Sequence, residues 1–223
     1  MFSFLYLGRV AGWMLVMDLS DRWPLPDSPD LRDEVAAAYA DPSRGYHDTR
    51  HLTEVLDRLD ELAEAGIAFD ATPVLLAAWF HDAVYDGERD AEERSASWAE
   101  DALAPLVPPP VAAEVARLVR LTETHQPDDA DLNGCALSDA DLAILAAPAE
   151  RYADYVAAVR REYAHLADDV FDQGRAAVLE ALAGKPHLFH TAYAREHWEA
   201  PARANLEREL AGLGGEGVSP ASR

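Results

Sequence analysis

The stretch TPVLLAAWFHDAV at residues 72–84 is apolar on most of its sides. A helix of that kind has no polar face to offer water, so other elements must enclose it. Its neighbours read as amphipathic helices. Residues 49–65 carry Leu52, Val55, Leu56, Leu59 and Leu62 at spacings of three and four, and the pattern stops at Gly66. Further helices are expected at 30–40, 90–104, 111–124, 138–146, 148–166, 170–183 and about 196–213. Asp41-Pro42, Pro105, the run Pro108–Pro110 and the loop QPDDADLNG punctuate them. Sustained period-two alternation, an internal repeat and a long linker are all missing from this sequence. The expectation is one compact all-α domain over residues 17–213, with GGEGVSPASR at 214–223 as a disordered tail.

Charge narrows the partners. The chain has 41 acidic and 19 basic residues, a net charge of −22. Such a surface repels nucleic acid and anionic membranes. An anionic substrate would therefore need local positive charge, from a metal, a few arginines or a protonated histidine. Eighteen of the 19 basic residues are Arg. A covalent lysine mechanism has one candidate, Lys185 in a Gly-Lys-Pro turn, and is set aside. The single cysteine, Cys135, excludes an intrachain disulfide and follows Asn-Gly in an expected loop with no evident activating base. Residues 1–16 are apolar but short of the ~20 residues of a membrane span, and Arg9 interrupts them. They read as an extension or an upstream start, with Met17 opening an ordinary cytoplasmic protein.

Several histidines fall where metal chemistry would want them. In YHDTRH, His47 and His51 stand four apart at the start of a helix, so their rings are expected on one face. His81-Asp82 lies in the apolar run, where two adjacent ionisable groups are costly without compensation. A divalent metal compensates them, since neutral imidazole and carboxylate are both good ligands. Asp139-Ala140-Asp141 offers later carboxylates, of which Asp139 most simply caps a helix beginning there. Taken singly, each feature is more ordinarily a surface or capping histidine, a buried hydrogen-bonded pair or a helix cap. Together, in this order, they favour a metal site.

The order H…HD…D on an all-helical chain resembles the HD superfamily of metal-dependent phosphohydrolases, and YHDTRH resembles the YHxxxH segment of cyclic nucleotide phosphodiesterases. A closer resemblance, to a bacterial family of predicted metal-dependent HD phosphohydrolases, covers about Met17 to Leu213. It rests on YHDTRHL, WFHDAVYD, EERSA, LTETH, SDADLAIL, VRREYAHL, Gly174-Arg175 and ARANLEREL. The resemblance implies a divalent ion (Mn, Mg, Fe, Co, Ni or Zn) on His51, His81, Asp82 and Asp141, with Asp139 the second candidate for the last position. It implies His47 as general acid, and a small phosphorylated substrate such as a nucleotide. Where the pattern would read Asp-Asn-Glu, this chain has Asp90-Ala91-Glu92. Asp82 or Glu92 would orient the attacking water. His125 is a further metal or phosphate contact, and Arg160, Arg161, Arg175 and Arg203 are candidates to grip phosphate, with Arg160 and Arg175 foremost. Two alternatives stay open: a di-iron oxygenase on the same fold, with His125 and Glu92 as extra ligands, and a regulatory module without turnover.

Overall fold

The computed structural model describes residues 18–215; the expected extension at 1–16, Met17 and most of the expected tail lie outside them. The described chain is all-α, with no strand among those residues. Its helices are α1 (Pro29–Tyr39), α2 (Thr49–Glu64), α3 (Ala71–Phe80), α4 (Ala91–Leu103), α5 (Pro109–Leu121), α6 (Leu132–Leu142), α7 (Ala149–Glu162), α8 (Asp168–Ala183), α9 (Ala192–His197) and α10 (Glu199–Gly215). Short 3₁₀ turns occupy Leu19–Arg22 and Ala143–Ala146. No described helix is long and apolar enough to cross a membrane.

α3 is the axis of the fold, as its composition requires. Helices α1, α2, α4, α5 and α6 all pack on it, and Val74, Leu76, Trp79 and Phe80 lose all contact with water. Trp23 meets Trp79 edge-on at 5.1 Å, and Phe80 meets Trp98 at 5.8 Å. These T-shaped contacts suit the ring quadrupoles. The buried face of α2 is the stripe of Leu52, Val55, Leu56, Leu59 and Leu62 read from its spacing. α10 closes the other end of the molecule over α8, α9 and the second 3₁₀ turn.

Three of the departures from the expected boundaries bear on the site and the core. α3 stops at Phe80 rather than running to residue 84, so His81 caps the helix and Asp82 lies in the turn beyond it. The reason lies elsewhere in the chain: the Asp82 N–H, which would continue the helix onto the Ala78 carbonyl, donates instead to the Tyr39 hydroxyl, while His81 Nδ1 takes the Ala78 carbonyl. The guanidinium of Arg44 takes the carbonyls of Asp82 (2.7 Å) and Ala83 (2.9 Å) into its own hydrogen bonds. α6 starts at Leu132, inside the expected loop, because the Asp131 carboxylate accepts the Gly134 N–H at 2.9 Å and caps it. Cys135 and Asp139 are thus buried mid-helix residues rather than a loop residue and a cap. α9 was not expected, and Trp198 separates it from α10, which covers most of the helix expected at about 196–213.

Asp139 instead holds two parts of the fold together. Its carboxylate is fully buried and accepts the N–H groups of His190 and Thr191, each at 2.7 Å. Asp139→Ala would leave two donors without partners in a dry site. The expected loss is about 2–5 kcal/mol of unfolding free energy, read from urea titration. Asp139→Asn, which keeps one acceptor, should lose less.

Candidate metal centre

Three elements bring the candidate ligands to one point. α2 begins with Asp48, whose carboxylate accepts the N–H groups of Arg50 (2.9 Å) and His51 (3.2 Å), and this cap sets the first turn from which His51 points inward. α3 delivers His81 and Asp82 from its C-terminal end. α6 delivers Asp141, two residues past Asp139. Residues two apart on a helix lie on nearly opposite faces. Asp139 therefore points at residues 190–191 and Asp141 at the cluster, which decides between the two candidates.

The donor atoms are close. His51 Nε2 and His81 Nε2 are 3.0 Å apart. Asp82 Oδ2 lies 3.2 Å from the first and 3.0 Å from the second. Asp141 Oδ1 lies 3.3 and 3.6 Å from them. Nitrogen and oxygen donors that share one cation at about 2.0–2.2 Å sit about 2.8–3.6 Å from one another. His51, His81 and Asp141 also form, on their own, a group able to hold a metal ion. The tautomer supports the same conclusion. His81 Nδ1 is 2.7 Å from the Ala78 carbonyl, which can only accept, so Nδ1 carries the proton and Nε2 presents a lone pair. A lone pair facing a second imidazole nitrogen and two carboxylates needs a cation or a proton between them. The residues present fit a divalent metal.

Electrostatics agree. Burial raises the carboxyl pKa of Asp82 and of Asp141, but the neighbouring histidines outweigh it and hold both well below the usual range. Burial alone would lower the pKa of His51 and of His81, yet the two carboxylates raise both. His51 and His81 are sealed from solvent, whereas the side chains of Asp82, Asp141, His125 and His47 keep between 13% and 22% exposure. The cluster therefore opens on the side of those four residues.

His47 is not on α2. It precedes the Asp48 cap, so its relation to His51 is not that of one helical face, although the two rings are 5.5 Å apart. Its position comes from Glu162, at the end of α7. Glu162 Oε2 lies 2.8 Å from His47 Nδ1, while Oε1 accepts the N–H groups of Gly45 (3.0 Å), Tyr46 (2.8 Å) and His47 (2.9 Å). Burial pushes the Glu162 carboxyl up, and these bonds, led by that from His47, bring it below its ordinary value. The turn approaches α7 so closely that a Cβ on Gly45 would collide with the Ala158 carbonyl oxygen. Tyr85 stacks on the His47 ring at 4.0 Å.

Arg44 joins this turn to the α3 end. It donates to the His47 carbonyl at 2.8 Å as well as to Asp82 and Ala83. The Tyr39 hydroxyl accepts the Asp82 N–H at 3.1 Å. Nothing in the sequence pattern singled out Glu162, Arg44 or Tyr39, because their roles are contacts across 38 to 117 positions. The one available signal was Glu162 inside the quoted VRREYAHL segment.

The remaining candidates divide. His125 reaches the cluster, with Nε2 3.6 Å from Asp141 Oδ2 and Nδ1 3.2 Å from Ser138 Oγ. It does so from a left-handed backbone, φ 50°, a conformation costing about 1–2 kcal/mol for a residue other than glycine. Glu92 is half-buried in the first turn of α4 and makes no hydrogen bond or ion pair to the cluster among the described residues. Arg175 is buried against Glu209 (2.7 Å) and the Tyr155 hydroxyl (3.0 Å). Arg160 is bound to Asp168 and to the carbonyls of Tyr163 and Leu166. Arg203 is bound to Glu199 and three carbonyls. These three arginines are structural ties and not free phosphate ligands. Arg161 is the exposed one, with a single long contact to the Gly45 carbonyl. Burial, with the nearby Asp139, pushes the Cys135 thiol up to about 11, which disfavours a reactive thiolate.

The chain matches no family model, no curated protein and no solved structure.

The raised histidine values fix the sign of a pH dependence. Without a cation, His51 and His81 bind protons more tightly folded than unfolded. Their contribution to stability is present below about pH 6.5 and is lost as pH rises through the raised values. A metal must displace those protons, so its apparent affinity should tighten with rising pH, by up to about tenfold per unit for each proton displaced. Manganese titrations followed by calorimetry between about pH 6 and 8 should show this slope. It should be lost in Asp141→Asn, and Asp139→Asn should keep it.

Proposed function

We propose that this chain is a metal-dependent hydrolase of phosphate esters or anhydrides, of the HD type, acting on a small phosphorylated molecule. A nucleotide is the substrate class that the sequence resemblance implies. One observation carries the reading: His51, His81 and Asp141 can share a cation, with Asp82 against both histidines, and they stand beside a further group, His47, whose ring is oriented by a buried carboxylate. A divalent cation held by His51, His81, Asp82 and Asp141 supplies Lewis acidity toward a phosphoryl oxygen and toward water. The rest falls to the chain itself. Glu162 keeps the His47 proton on Nδ1 and orients the ring, leaving Nε2 to deliver a proton to the departing oxygen. Tyr85 limits rotation of the ring. Since Glu92 lacks contact with the cluster, Asp82 is the carboxylate placed to orient the attacking water.

A second reading keeps the site and changes the chemistry. A di-iron oxygenase needs ligands beyond four; His125, 3.6 Å from Asp141, favours it, and the detached Glu92 does not. Iron content with oxygen-dependent turnover would select it.

The test is turnover of a phosphoester and nucleotide panel with Mn, Mg, Fe, Co, Ni and Zn, alongside metal analysis. His47→Ala should lose about 10²–10⁴-fold in kcat and keep its metal, with a smaller loss on nitrophenyl esters, whose leaving group needs little protonation. Glu162→Gln should lower kcat in the same direction by a smaller factor. His51→Ala should lose metal and turnover together. Release of metal by His47→Ala would sink the acid assignment, and a wild type inert to the whole panel would sink the hydrolase.

A further inference from the structure

We infer that Lys185 binds a second phosphate group of the substrate, the one next to the phosphoryl centre that reacts. The inference rests on the hydrolase reading above and adds the residue that selects among its substrates.

The need is electrostatic. The cluster contains two carboxylates in a chain of net charge −22. A single divalent cation leaves a polyphosphate largely uncompensated, so further positive charge must face the mouth. Most arginines near this end are committed elsewhere: Arg44 to three carbonyls, Arg175 to Glu209, Arg203 to Glu199 and the 183–186 turn.

Lys185, the only lysine, differs from them. Among the described residues it makes no ion pair; its ammonium touches the His125 carbonyl at a long 3.5 Å. An ammonium has three donors, so at least two remain for a ligand. His125 is the mouth residue that contacts Asp141, and the Lys185 charge, after burial, helps to depress the His125 pKa. The ammonium thus stands next to the residue whose ring reaches Asp141.

The segment carrying Lys185 is held unusually firmly for one without regular structure. Arg203 binds the carbonyls of Ala183 (2.6 Å), Lys185 (2.7 Å) and Pro186 (3.3 Å). Glu199 accepts the N–H groups of Leu188 and Phe189, and Asp139 accepts those of His190 and Thr191. Arg195 donates to the Phe189 carbonyl at 2.8 Å. Four ionic side chains therefore fix the backbone beneath one flexible cation. That arrangement removes most of the ordering cost of binding an anion there. A lysine that merely neutralised the last carbonyls of the α5 turn would need none of it.

The test uses the full chain loaded with manganese, with inorganic phosphate and inorganic pyrophosphate as probes in calorimetry. Wild type should bind pyrophosphate more tightly than phosphate. Lys185→Met should weaken pyrophosphate by about tenfold or more while phosphate changes little and metal content is kept, and Lys185→Arg should restore most of the loss. Equal weakening of both anions would mean general damage to the mouth and would overturn the inference. So would pyrophosphate affinity unchanged in Lys185→Met, even if its melting temperature falls. Failure of the hydrolase reading is seen separately, as a wild type that turns over no phosphoester yet gives either result in these binding experiments.

Discussion

Two imidazole nitrogens and two carboxylate oxygens meet in the interior of this protein, and at least one of the nitrogens, His81 Nε2, presents a lone pair. Left alone, that arrangement is unstable in a low-dielectric site: the carboxylates repel, and at least one imidazole lone pair faces another nitrogen. A bound cation, or a pair of protons held above their ordinary pKa, is what makes it tolerable. The surrounding structure is organised to pay for nothing else at that point: α2, the end of α3 and α6 each contribute to it, and each is itself well packed. The site therefore depends on the apolar α3 for its central position, and on the caps at Asp48 and Asp131 for the direction of its flanking helices.

Around the cluster, irregular segments are tied down by buried ionic side chains that bind backbone. Glu162 gathers three N–H groups at residues 45–47; Arg44 gathers carbonyls at 47, 82 and 83; Asp139 and Glu199 gather N–H groups at 188–191; Arg203 gathers carbonyls at 183–186. A helical bundle has no sheet in which such segments could find partners, and a buried backbone group without one is costly. Charged side chains take that part. They also place chemistry: the carboxylate that satisfies the 45–47 turn is the one that orients His47, and the turn that Arg203 satisfies carries Lys185.

This arrangement gives the mouth its polarity. The sealed side consists of His51 and His81, and the open side of Asp82, Asp141, His125 and His47, with Lys185 against the His125 carbonyl. The two imidazoles close the floor, and the carboxylates face the opening together with His125 and His47.

The all-α class, the enclosed α3, the buried stripe of α2 and the cluster of His51 with His81-Asp82 were legible in the sequence, because each is written in local spacing or adjacency: three-four periodicity for the helices and neighbouring positions for His-Asp. Asp139 against Asp141 was not, since two carboxylates two residues apart are equivalent until a helix frame is known, and that frame begins at Asp131, whose surroundings read as loop. Arg160 and Arg175 looked free because a sequence does not show Asp168 and Glu209 beside them. The end of α3 at Phe80, the placement of His47 by Glu162 and the anchoring beneath Lys185 all arise from side chains reaching backbone tens of residues away. Periodicity and composition carry the short-range constraints of a chain; which carboxylate or guanidinium finds which turn is decided only when the helices pack.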